Sequence, residues 1–113
     1  MTDAEAFEMD ALWSDFHSAV NMTSQELAAW LRVSSAGEDA ERLPERAGPE
    51  RGRGVLSILR KRQMDLTDAD IDLMREVVET VSSEREAGPR ETRPEPDWRY
   101  QLMSLGHDPL RAG

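Results

Sequence analysis

TDADIDLMREVVETVSSE, residues 67–84, decides the fold. Ile71, Leu73, Met74, Val77, Val78 and Val81 recur at helical spacing and cover an arc of roughly 160° at 3.6 residues per turn. Thr67 stands where an N-cap belongs, and Asp68, Asp70 and Asp72 follow at the positive end of the helix macrodipole. The same acids, with Glu79, imitate the spacing of a calcium-binding loop. Such a loop needs glycine at its sixth place for a sharp turn, where this chain has Leu73, and its eighth place holds the cation Arg75. A capped acidic helix explains these residues without a metal. The apolar arc is wider than one neighbour needs, so this helix either lies at the centre of the fold or also meets a second subunit.

The chain on both sides has the same period. Phe7, Met9, Leu12, Trp13, Phe16 and Val20 predict an apolar stripe on a first helix, closed near Asn21. Thr23 with Glu26 forms a capping box for a second, whose short apolar face is Leu27, Trp30 and Leu31. SSAGEDAERLPERAGP (34–49) reads as a long polar connection holding one short helical turn at 38–43. Pro49 suits the first turn of a third helix that turns Val55, Ile58 and Leu59 inward, despite the weak formers Gly52 and Gly54. Beyond the quoted helix, REAGPRETRPEP (85–96) is a charged Pro/Gly linker. In DWRYQLMSLGHDPL (97–110), Asp97 caps a last helix and Gly106 ends it. Trp98, Leu102, Met103, Leu105 and Leu110 are too apolar for a trailing tail. No segment alternates with period two. The expectation is an all-α fold, a small single-domain bundle of four to five helices. It comprises a helical core (1–84), the linker (85–96) and a C-terminal tail (97–113) packed back on the core.

Composition narrows the function. The 113 residues include no cysteine, which removes disulfides, thiolate nucleophiles and zinc knuckles. No apolar run approaches the roughly 20 residues that span a bilayer. The opening MTDAEAFEMDA is acidic where a leader would be basic, so a cytoplasmic protein without membrane contact is expected. His17 and His107 are the only histidines and stand 90 positions apart; they meet only if the tail folds onto the first helix. There is no phosphate-binding glycine loop and no nucleophile elbow. No enzyme, cofactor or metal is expected.

Charge is distributed in blocks. Residues 1–45 sum to −8, residues 46–62 to +5 and residues 63–88 to −6, within a total of −9. The basic island comprises Arg46, Arg51, Arg53, Arg60, Lys61 and Arg62, with Arg53 and Arg60 on one face if the helix continues between them. Two readings follow. The island tracks nucleic-acid phosphates weakly and without base reading, or its cations pair with the acidic helices on either side. Arg51-Gly52-Arg53-Gly54 resembles the core of minor-groove hooks, without their proline.

NMTSQELAAWL (21–31), GRGVLSILRKRQMDLTDADIDLMREVV (52–78) and WRYQLMSLGHDPL (98–110) together resemble the domain-of-unknown-function 3140 family of small bacterial proteins, also seen beside Tudor-like domains. The resemblance implies a DNA-binding label carried by some members and no catalytic residue. MTSQELAAWL (22–31) is also similar to the first helix of the SAP DNA-binding motif, with no matching second helix. The resulting expectation is a non-enzymatic, DNA-associated helical protein contacting the backbone through the basic island. The alternative is a protein-interaction or self-associating module, docking a partner or a second copy through the helix at 68–83, with the island neutralised internally.

Overall fold

Five α-helices make up the described residues, 3–34 and 50–111, of the computed structural model: α1 (Asp3–Ala19), α2 (Ser24–Ser34), α3 (Glu50–Leu59), α4 (Asp68–Ala87) and α5 (Glu95–Met103). A 3-10 turn, Gln63–Asp65, links α3 to α4. Among these residues the only β pairing is an isolated bridge between Arg90 and Arg93. The helical turn expected at 38–43, Pro49 and Arg46 lie outside the described residues.

The starts of α2 and α4 follow the sequence. Thr67 Oγ1 accepts from the Asp70 N–H at 3.1 Å while Asp70 Oδ2 accepts from the Thr67 N–H at 3.0 Å, a reciprocal capping box. Thr23 and Glu26 repeat it at 3.1 and 2.8 Å before α2. α4 is the central helix, packed against α1, α3 and α5, while α2 packs on α3. Met74, Val77 and Val81 of α4 enter a core with Phe16 and Val20 of α1, Leu27 and Leu31 of α2, Val55 and Ile58 of α3, and Trp98, Leu102 and Leu105. Leu73 lies over Gly54, so close that a Cβ there would come within 2.4 Å of Leu73 Cδ2. Most of the apolar arc of α4, Leu73, Met74, Val77, Val78 and Val81, is thus met by its own chain.

Two apolar residues expected inside lie exposed. Phe7 is 76% exposed. At 3.6 residues per turn it points about 180° away from Phe16, so it never belonged to the stripe that continues through Leu12, Trp13 and Val20. Leu110 is 60% exposed. The chain turns at Asp108, whose carboxylate accepts from the Leu110 N–H at 3.0 Å and directs that side chain outward.

The segment read as a linker is a pinned corner. α4 runs on to Ala87, and Glu84 accepts from both Arg90 and Arg93, at 3.3 and 3.1 Å. Trp98 Nε1 donates to the Glu84 carbonyl at 2.9 Å. α5 starts earlier than Asp97: Pro94 is the N-cap and Pro96 sits in the first turn, where a missing N–H costs nothing. Its end is as expected. Gly106, at φ 88°, occupies the left-handed position, with His107 N–H bonded to the Leu102 carbonyl and Gly106 N–H to that of Met103. Among the described residues no helix is long and apolar enough to cross a membrane.

Candidate functional site

The structure breaks the basic island into separate contacts. α3 stops at Leu59, with Arg60 and Lys61 N–H groups bonded to carbonyls three residues back. Arg60, Lys61 and Arg62 therefore lie beyond the helix. Lys61 Nζ meets Asp70 Oδ2 at 2.6 Å, joining the Thr67 capping box. Burial raises the Asp70 pKa, but the Lys61 ammonium and the Thr67 donors outweigh it and hold the carboxyl below its ordinary value. Arg51 reaches α4, bonding Thr80 Oγ1 at 3.2 Å and Glu76 at 3.1 Å. Arg62 pairs with Asp65 at 2.9 Å across the 3-10 turn. Arg53 is half-buried, and Arg60 is exposed with no carboxylate in ion-pair reach among the described residues. Arg46 lies outside those residues. A face able to track phosphates would present its cations together; here Arg51 and Lys61 are engaged with the acidic helix α4 and Arg62 with Asp65 of the 3-10 turn.

A second feature escaped the sequence reading. Where the first turns of α1 and α4 meet the 3-10 turn, two depressions of about 410 and 310 Å³ adjoin, sharing Met9 and Ile71. The larger is floored by Ala6, Met9, Met64, Leu66 and Ile71 and bridged by a 2.7 Å hydrogen bond from Gln63 to Asp10. The smaller is bounded by Glu5, Glu8, Asp68, Asp72 and Arg75. Met64 is 79% exposed. Met9 and Ile71 fall within the apolar stripes of their helices, and Met64 lies between elements where periodicity is silent. The available signal was charge: Glu5 with Glu8, and Asp68 with Asp72, recur at three- and four-residue spacing and so share a face.

The tail closes over the junction of α1 and α2. His107, 2% exposed, has Nδ1 2.7 Å from the Ala19 carbonyl. That oxygen can only accept, so Nδ1 carries the proton and Nε2 is a bare acceptor, buried without a hydrogen-bond partner among the described residues. Burial pushes the His107 pKa below the ordinary histidine value, and Arg85 adds to the effect against the pull of Ala19 and Asp108. Arg99 pairs with Asp108 at 3.3 Å, and Arg111 forks onto Glu26, holding that carboxyl down to about 2. His17 lies exposed on α1, bonded to the Trp13 carbonyl. Among the described residues no group of three or more histidine, aspartate or glutamate side chains is placed to hold a metal ion.

A protein-family model matches most of the chain. The family described as "Protein of unknown function (DUF3140)" matches residues 15–103, from the last five residues of α1 to the end of α5. No curated protein and no solved structure matches the chain. The family description names no ligand and no activity.

Proposed function

The chain belongs to the DUF3140 family of proteins of unknown function, and from that premise we propose that it is a non-enzymatic protein-binding module whose arginine-rich island ties α3 to α4. What carries this reading is the Lys61–Asp70 pair at 2.6 Å, with Arg51 reaching Glu76 and Thr80 in parallel. Charges already neutralised by neighbours release few counterions on meeting DNA, and a body of net charge −9 repels the phosphates.

The test is a gel-retardation titration of the intact protein on a DNA duplex at low and physiological salt. No retention is expected at either salt. Retention that falls steeply with salt and vanishes in Arg60→Glu/Arg62→Glu, with an unchanged melting curve, would overturn the reading in favour of backbone contact through Arg51, Arg53, Arg60, Lys61 and Arg62. Both substituted side chains belong to exposed residues beyond the end of α3, so the variant should fold.

A further inference from the structure

We propose that the acid-rimmed groove between the first turns of α1 and α4 receives a basic amphipathic helix from a partner protein. This deepens the protein-binding reading and rests on it. The groove floor is apolar: Ala6, Met9, Met64, Leu66 and Ile71. Its rim is acidic, with Glu5, Glu8, Asp10, Asp68 and Asp72 against one base among the described lining residues, Arg75, which stands 4.0 Å from Asp72. An apolar trough with like charges along its edges is complementary to one kind of ligand, an apolar stripe flanked by lysine or arginine. That is the pattern of helix-in-groove recognition.

Length and plasticity fit the same occupant. The lining residues span positions 5–10 of α1 and 68–75 of α4, so the trough runs about 10 Å, roughly two helical turns at 1.5 Å per residue. Such a trough takes anchors at i, i+3/i+4 and i+7. Met9 and Met64 are unbranched and repack around different side chains, as methionine-lined binding surfaces do. Leaving Met64 in water serves no packing purpose inside the chain, whereas under an incoming helix it becomes contact area. A nucleic acid or an acidic peptide would meet the rim charge directly. A second copy of this chain would bring an equally acidic face to the same place.

The experiment is a fluorescence titration of the full-length protein with a 16-residue amphipathic leucine–lysine helix. A peptide of the same composition, scrambled to destroy the stripe, serves as control. Saturable binding is expected for the amphipathic peptide alone, weakening with salt. Glu8→Lys/Asp72→Lys should weaken it by about tenfold or more through rim repulsion, and Met64→Ser by about threefold or more through lost apolar contact. All three positions are exposed, so melting curves should match the wild type. No binding, equal binding of the scrambled peptide, or indifference to all three substitutions would overturn the proposal. So would a dimer mass by light scattering that Met64→Ser reduces to monomer, because the occupant is then a second copy. None of these outcomes alters the gel-retardation result, so failure here is distinct from failure of the protein-binding reading.

Discussion

Asn21 and Asp108, 87 positions apart, exchange two hydrogen bonds: Asn21 Nδ2 donates to the Asp108 carbonyl at 3.0 Å, and the Asp108 N–H donates to Asn21 Oδ1 at 2.8 Å. The side-chain amide imitates a backbone peptide, so the tail is held as one strand holds another. Met22 N–H adds a bond to the Gly106 carbonyl at 3.1 Å. The α1–α2 junction and the tail therefore act as one structural unit.

Replacing Asn21 with alanine removes both bonds and leaves part-buried backbone groups of Asp108 without partners. The expected loss is about 1–3 kcal/mol of unfolding free energy, measured by urea denaturation. Asn21→Asp, which keeps the acceptor and loses the donor, should fall between the two. A wild-type midpoint for Asn21→Ala would show that the tail is held by its apolar side chains alone.

Gly52 and Gly54 should respond differently to alanine, although helix propensity favours both replacements. A Cβ on Gly52 would lie 2.4 Å from the Ser104 carbonyl oxygen, part of the backbone after α5. On Gly54 it would meet only the tip of the Leu73 side chain. Gly52→Ala should lose about 1–3 kcal/mol from overpacking, whereas Gly54→Ala should be closer to neutral because Leu73 can shift. Thermal denaturation of the pair decides it, and the reverse order would show that α3 and α5 separate easily.

His107 sets a pH window. Its folded pKa lies below the ordinary value, so as pH falls the unfolded chain takes up the proton first. Stability is full above about pH 6.5 and declines as pH drops below it toward the folded pKa. Carboxylates with depressed values act lower; the Glu26 contribution is present above 4.5 and fades as pH falls toward about 2. Unfolding free energy should therefore drop as pH falls below about 6.5. In His107→Gln, less stable at neutral pH, the drop should flatten. An unchanged slope in that variant would assign the effect to other groups.

The helices were legible because their signals are local. Thr67 with Asp70 and Thr23 with Glu26 satisfy their caps within four residues, and the left-handed Gly106 marks its own turn. Phe7 misled because its hydrophobicity counted for more than its angle. The basic island was ambiguous for a different reason. Nothing in Leu59-Arg60-Lys61 announces a helix end, and the partner of Lys61 lies nine residues on, across a reversal of the chain. The groove was invisible because it forms where three elements meet, and Met64 belongs to none of the long helices. Burial of His107 depended likewise on tail docking, which composition suggested without giving its register.

The internal role of the arginine-rich island is tested most directly by a double-mutant cycle on Lys61 and Asp70. Lys61→Met, Asp70→Asn and the double variant are compared by denaturant unfolding; asparagine keeps an oxygen for the Thr67 cap. A favourable coupling of about 0.5–1.5 kcal/mol is predicted, since the pair is short and mostly shielded from water. Coupling indistinguishable from zero would contradict it, leaving Lys61 available to a ligand outside the fold.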